Sequence, residues 1–302
     1  MQNKRVISNL LLLLTAFIWG IAFVAQSVGM DYVGPWTFVF SRFLISAIAL
    51  LPVTVILQKK AEQERPADAA PTPFKTYLLG GCACGTLLGL ASISQQVGIQ
   101  YTTAGKAGFI TALYVVLVPV LGIFLGRRPG KRLWFSVILS IAGLYLISIH
   151  EGFVMEVGDV LMVLCALLFS FQIMSVDHFS PLVENTVVLA NIQFCFSAMV
   201  GLVGMLLFEK PDLAGLKAAA LPILYAGACS GSIAYTLQIT AQRNTDPAVA
   251  SLIMSLEAVF SALAGWVILH QSLSLRELLG CSLVFLAVVL AQLPHMEPKQ
   301  AR

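Results

Sequence analysis

A chain of 302 residues with 58% apolar side chains, only 11% charged ones and a mean hydropathy of +0.88 is not an ordinary soluble domain. Its net charge of +3 is small and sits mostly in loops, which argues against nucleic acid as a partner. All six cysteines (Cys82, Cys84, Cys165, Cys195, Cys229, Cys281) fall in apolar segments. The Cys82 and Cys84 side chains would diverge by about 200° on a helix, unsuited to one metal site, so packing is the expected role and no cofactor is expected.

Lys4 and Arg5 ahead of an apolar run resemble a secretory signal. The run is interrupted by Trp19-Gly20, lacks a small-x-small cleavage site and opens an internal repeat, so it reads as a retained span. The expected helices cover about 8–28, 35–57, 74–98, 103–125 and 133–149, then about 159–176, 185–208, 219–242, 248–269 and 275–293. Most have the roughly 20 residues that a hydrocarbon core of about 30 Å requires. The polar stretch 58–73, with Lys59, Lys60, Glu62, Glu64, Arg65 and its prolines, is expected as a loop.

One helix is written twice. YTTAGKAGFITALYVVLVPVLGIFLGRRP, starting at Tyr101, returns about 143 residues later as TDPAVASLIMSLEAVFSALAGWVILHQSLS, starting at Thr245. The alignment sets Thr102 on Thr245, Leu113 on Leu256, Tyr114 on Glu257 and Gln95 on Gln238, while the Trp19 region falls on 166–170 at a spacing of about 150. Two five-helix units follow, 8–149 and 159–293, joined by 150–158. An odd number of helices per unit makes the copies run in opposite directions, and inverted repeats put a substrate site at their interface near mid-membrane.

Charge sets the orientation. With both termini cytoplasmic, the inside segments of the first half hold Lys4, Arg5, Lys59, Lys60, Arg65, Lys75, Arg127, Arg128, Lys131 and Arg132, against at most Lys106 outside. The connection between halves is acidic (Glu151, Glu156, Asp159), and in the second half Lys210 and Lys217 lie outside against Arg243 inside. The orientation therefore rests on the first half. The expected location is the plasma (inner) membrane, multi-pass.

The segments YTTAGKAGFITALYVVLVPV and SLEAVFSALAGWVILHQSLS, with NLLLLLTAFIWGIAFVAQ near the start, resemble EamA-type members of the drug/metabolite transporter superfamily, over about 9–292. The resemblance implies an all-α membrane protein of about ten transmembrane helices, arranged as two inverted five-helix repeats around a central cavity with alternating access. Two departures stand out. Ala258 occupies the place where many members have proline after the glutamate, and His270-Gln271 the place where many have Gly-Glu.

Polar groups inside a membrane should face one another or a watered cavity. Trp19, Phe23 and Gln26 share one helical face, and Tyr235, Gln238 and Gln242 share another. Thr111 and Tyr114 are neighbours, Gln95 is the repeat partner of Gln238, and Gln172 and Asn191 are amides within their helices. Each has two readings, a cavity wall or a hydrogen bond between helices worth about 0.6–2 kcal/mol. Gly81, Gly85 and Gly89, and later Gly227 and Gly231, recur at steps that let helix backbones approach.

Two ionisable groups are expected in coupling or gating. Glu257 lies in mid-helix, where an ionised carboxylate costs about 2.5–3.5 kcal/mol, and serves either as a structural or gating group or as a proton or substrate contact. Arg42 lies about 10 Å inside its helix and either snorkels to the interface, pairs with an acid, or receives an anionic group. His150, His178, His270 and His295 are scattered, and the chain has no H-E-x-x-H, no Walker A and no G-x-S-x-G. The expected function is secondary active or facilitative transport, in the export direction, of small metabolites such as amino acids or amphipathic compounds. The expected partners are the lipid bilayer, the small-molecule substrate and protons, with the chain working as a monomer or homodimer. A membrane-embedded enzyme and a non-transporting scaffold are the alternatives; polar residues spread over so many helices argue against the scaffold.

Overall fold

Every expected span is helical in the computed structural model, which describes residues 2–64, 70–101, 104–148, 157–268 and 273–292. The first half holds α1 (Gln2–Gly29), α2 (Pro35–Glu64) and α3 (Phe74–Gly98), a fourth crossing in two pieces, α4 (Ala104–Thr111) and α5 (Tyr114–Phe124), and α6 (Lys131–Ser148). The second half holds α7 (Val157–Phe179) and α8 (Thr186–Phe208), then a composite crossing. That crossing runs through α9 (Leu213–Ala218), α10 (Ala220–Leu224), a π-helical segment (Tyr225–Tyr235) and α11 (Thr236–Gln242). A ninth crossing, again in two pieces, consists of α12 (Pro247–Met254) and α13 (Glu257–Ile268), and α14 (Leu275–Gln292) follows. The expectations placed on Arg65, Thr102, 150–156 and His270 fall outside the described residues.

Nine segments among the described residues are long and apolar enough to cross a membrane. The remaining helix, α6, opens on Lys131 and Arg132 and lies along α14, with Gly143 against the Gly280 carbonyl. The surface is what a lipid solvent selects. Ile48, Leu206 and Phe208 are 61%, 72% and 70% exposed, whereas Arg42, Gln172, Gln193 and Glu257 are buried.

The helix starts follow from local chemistry. The Asn185 side chain accepts from Val187 N at 3.0 Å and caps α8. Asp246 accepts from Ala248 N at 2.9 Å and Pro247 takes the first position of α12, where no N–H is required.

Three expectations need correction. The polar stretch after residue 57 is not a loop from its start, because α2 continues to Glu64. Gln, Lys, Ala and Glu are good helix formers, and Gln58 Nε2 donates to Glu62 Oε1 at 3.0 Å one turn on. The fourth and ninth helices are each interrupted, at 112–113 and 255–256. Both interruptions are tightened turns: Leu113 N donates to Ile110 O at 3.1 Å and Leu256 N to Ile253 O at 3.2 Å, bonds three residues back instead of four. The eighth crossing is wound as a wide π-helix over Tyr225–Tyr235 instead of a plain α-helix.

The glycine steps serve packing. Gly85 leaves room for the Gln193 carbonyl of α8, and Ser197 Oγ donates to Gly85 O at 2.8 Å across the same contact. Gly231 admits the Ser46 side chain of α2, and Ser46 Oγ donates to Gly227 O at 2.9 Å. Three apolar clusters result; a small one sets Phe38 against Ala219, Ile223 and Ala226, and two are large. One joins α1, α5, α6, α7 and α12, and the other joins α2, α3 and α8 to Tyr235. Trp19 and Phe169, repeat partners in the sequence, pack against both clusters and so mark the seam between them.

Candidate functional site

The seam holds a cavity of about 30 Å³, room for about one water molecule. Its wall collects nearly all the singled-out polar residues: Trp19 and Gln26 from α1, Arg42 from α2, Gln95 from α3, and Thr111 and Tyr114 on either side of the α4–α5 break. From the second half come Gln172, Tyr235, Gln238 and Glu257. Asn191 is not among them. Its Nδ2 donates to Ala47 O at 2.8 Å and ties α8 to α2, so for this residue the interhelical reading holds.

The two broken crossings meet here. Tyr114 begins α5 and Glu257 begins α13, each directly after its tightened turn. The Tyr114 hydroxyl donates to Glu257 Oε1 at 2.9 Å, a hydrogen bond between repeat-equivalent residues 143 positions apart. Glu257 sits in the first helical turn, where the amide dipoles favour an acidic oxygen. The break forms although Ala258, not proline, follows the glutamate. Ser255 Oγ donates to Leu252 O at 2.7 Å and meets Ser140 Oγ at 3.3 Å, bonds that occupy the turn from outside the helix ladder.

A chain of amides forms another wall. Gln238 Nε2 donates to Gln172 Oε1 at 3.2 Å, and Gln172 Nε2 donates to Gln193 Oε1 at 3.3 Å. Gln238 Oε1, at one end of the chain, has no protein partner among the described residues. Gln95 Nε2 reaches Thr111 Oγ1 at 3.5 Å. Trp19 Nε1 donates to Ser230 O at 3.3 Å, a carbonyl of the π-helical segment, and the Trp19 ring lies 4.6 Å from that of Tyr235. Arg42 Nη1 donates to Gln26 Oε1 at 3.0 Å. At 3% exposure Arg42 does not snorkel, and no carboxylate pairs with it among the described residues.

Sequence reasoning missed Phe169, Ser230 and Met254 in the wall, and Gln193 behind it. The repeat carried the signal for two of these, since Phe169 aligns with Trp19 and Met254 with Thr111. Gln193 was visible as a further amide in the same helix, two positions after Asn191. Ser230 enters through its carbonyl, which a sequence does not single out.

Both ends of the bundle are tied across the halves. At the α5 end, Arg127 forms ion pairs with Asp177 of α7 and, at 3.3 Å, with Asp246. At the other end, Glu209 after α8 accepts from Trp36 N at 2.9 Å, Thr37 N at 2.8 Å and Thr37 Oγ1 at 2.6 Å, capping α2. Polar contacts thus join the two halves at both ends of the bundle.

A membrane bundle with broken crossings that meet at an internal polar cavity is the architecture of a transporter. The EamA-like transporter family model matches the chain twice, at 6–149 and 156–293, and the chain belongs to that family. An uncharacterized transporter of Archaeoglobus fulgidus is 31% identical over 96% of this chain and 87% of its own length. The uncharacterized transporter YoaV of Bacillus subtilis is 22% identical over 88% of this chain and 90% of its own. A protein crystal structure superposes with a TM-score of 0.76 at 17% identity, covering 94% of this chain and 96% of that one, a likeness of fold alone.

Proposed function

We propose that the protein is a secondary transporter that carries small metabolites out of the cell by alternating access, with proton movement through Glu257 as the driving step. The observation that carries the reading is the meeting of repeat-equivalent residues from both halves at one cavity lined by polar side chains. Exchanging the conformations of units 8–149 and 159–293 would open that cavity to one face and then the other. A cavity of about 30 Å³ is too small for a metabolite, which supports reading this state as one between the two openings. The cavity is built within one chain, which supports one chain as the transport unit, as a monomer or within a homodimer.

Reconstitution tests the reading against the enzyme and scaffold alternatives. Proteoliposomes loaded with a mixture of metabolites are expected to lose particular solutes, read by mass spectrometry, faster than protein-free vesicles do. Equal leakage from both, across the mixture, would sink the transport reading.

The proposed orientation puts both termini and the α2–α3 connection on the cytoplasmic side of the plasma membrane. A cysteine in place of Gln63, in a background without the native cysteines, is expected to resist an impermeant thiol reagent in intact cells and to react after lysis. Labelling from outside would reverse the orientation drawn from Lys59, Lys60, Arg127 and Arg128.

A further inference from the structure

The α5 end of the bundle encloses a second cavity, apart from the central one. α5 stops in a turn that folds the chain back on itself. Gly126 takes φ +81°, its N–H donates to Ile123 O at 2.9 Å, and Arg127 N donates to Gly122 O at 2.9 Å. The Arg127 side chain lies back over Gly122, Arg128 follows, and α6 then opens on Lys131 and Arg132. Together with Arg5 of α1, the residues Arg127, Arg128 and Arg132 line a hollow of about 430 Å³, with Asp246 as its acid among the described residues.

That acid is already engaged. Asp246 Oδ2 meets Arg127 at 3.3 Å and its Oδ1 accepts from Ala248 N at 2.9 Å. Arg127 is held in turn by Asp246 and Asp177, whereas Arg5 and Arg128 enter no ion pair among the described residues. The wall also carries neutral polar groups. Asn9 Nδ2 donates to Gln292 Oε1 at 3.3 Å, and Thr245 Oγ1 is buried without a hydrogen-bond partner among the described residues.

Orienting a chain requires basic residues on one side of the membrane, not their convergence. Arginines gathered around one hollow repel one another unless an anion sits among them. The surroundings say which anion. Phe124, three residues ahead of Arg127, is 83% exposed, Phe135, three after Arg132, is 60% exposed, and Leu10 beside Asn9 is exposed too. The hollow thus lies where the bare apolar surface gives way to charge, the level of phospholipid headgroups. We infer that it binds the phosphate of an acidic phospholipid, whose acyl chains lie on the bare surface beside it. Guanidinium forks take phosphate oxygens in pairs, and Asn9, Gln292 and Thr245 suit the hydroxyls and ester oxygens of a headgroup. At about 30 Å³ per water molecule, the hollow has room for a phosphodiester and its glycerol. A zwitterionic lipid would bring its own cation among the arginines and find Asp246 taken, so the site selects for net negative charge. This goes beyond the transport reading and rests only on the chain being in a membrane.

The test uses the purified full chain, stripped of lipid in detergent and titrated under native mass spectrometry with phosphatidylglycerol and phosphatidylcholine of identical acyl chains. Phosphatidylglycerol is expected to bind about tenfold more tightly or better, and neither inorganic phosphate nor glycerol phosphate should displace it. Arg5→Gln combined with Arg128→Gln leaves the ion pairs of Arg127 in place and is expected to weaken that binding about tenfold or more. Lys59→Gln combined with Lys75→Gln, an equal loss of charge near the α2–α3 connection, is expected to weaken it about twofold at most. Equal binding of the two lipids, or no binding of either, would overturn the inference. So would an equal loss in both double variants, which would mean diffuse attraction to a basic face, and so would displacement by glycerol phosphate, which would mean a site for soluble phosphates. If the arginine double variant does not fold, Arg128→Gln alone decides: a loss of about threefold or more supports the site and unchanged binding overturns it. Flux keeps this inference apart from the transport reading. Lipid selectivity without flux retains the site and refutes the transporter, and flux without lipid selectivity does the reverse.

Discussion

Glu257→Gln is expected to abolish accumulation driven by a pH gradient, by tenfold or more, while solute exchange at equal pH survives. Glutamine keeps the shape and an oxygen that accepts from the Tyr114 hydroxyl, now at 2.9 Å, so the variant removes the titratable proton and little else. Tyr114 faces the carboxyl from α5, Tyr235 from the π-helical segment and Cys165 from α7, while Arg42 stands elsewhere in the wall without an ion pair to it. Glu257 has no basic partner among the described residues, and an ionised carboxylate in the bilayer interior costs about 2.5–3.5 kcal/mol or more. Opening to either face brings water and allows the proton to leave. Coupling needs that dependence of charge on access. Tyr114→Phe, which deletes the hydroxyl and leaves the acid, is expected to retain gradient-driven accumulation at a reduced rate. Wild-type pH dependence in Glu257→Gln would exclude it as the coupling group, and failure of the variant to fold would assign it to structure.

The pairing of Tyr114 with Glu257 was legible in the chain because a repeat alignment is also a map of symmetry. Residues that align lie about equally far from the axis between the halves, and those near it meet. The turns before both residues were not legible. Ala112-Leu113 and Ser255-Leu256 contain no glycine or proline, and each lies inside a stretch long and apolar enough to read as one unbroken span. What tightens the ninth crossing is the set of Ser255 contacts, one of them with Ser140 on α6, a residue 115 positions away. The extension of α2 failed for a different reason. Polarity does not end a helix; it marks only where the helix leaves the apolar layer, and α2 runs on to Glu64. Asn191 shows the limit of composition: an amide in an apolar helix must find a partner, but whether the partner is a cavity or the Ala47 carbonyl depends on the rotation of α8 against α2.

Arg127→Gln is expected to open the cavity towards the α5 end. Arg127 belongs to the first half, whereas Asp177 and Asp246 belong to the second, so their ion pairs join parts that must separate when that face opens. An exposed pair is worth about 0–1 kcal/mol, but one arginine between two acids loses both contacts at once and leaves two like charges facing each other. The opposite end is tied by Glu209 on Trp36 and Thr37, which the substitution does not touch. The equilibrium should therefore tilt one way only. A cysteine placed at Thr111, whose side chain meets Gln95 in the cavity wall, in a background without the native cysteines, reports the result. Its reaction with a thiol reagent from the α5 face should speed up at least fivefold in Arg127→Gln, a shift of about 1 kcal/mol, and should stay unchanged from the Glu209 face. Because Asp246 also caps α12, Asp246→Asn keeps the cap through its amide oxygen while weakening the pair, and a smaller shift in the same direction is expected. Equal acceleration from both faces would mean that Arg127 holds the fold together and not one end of it. No acceleration would mean that the cavity is closed by the apolar packing of α5 against α7 and α12, with the ion pairs only resting on top.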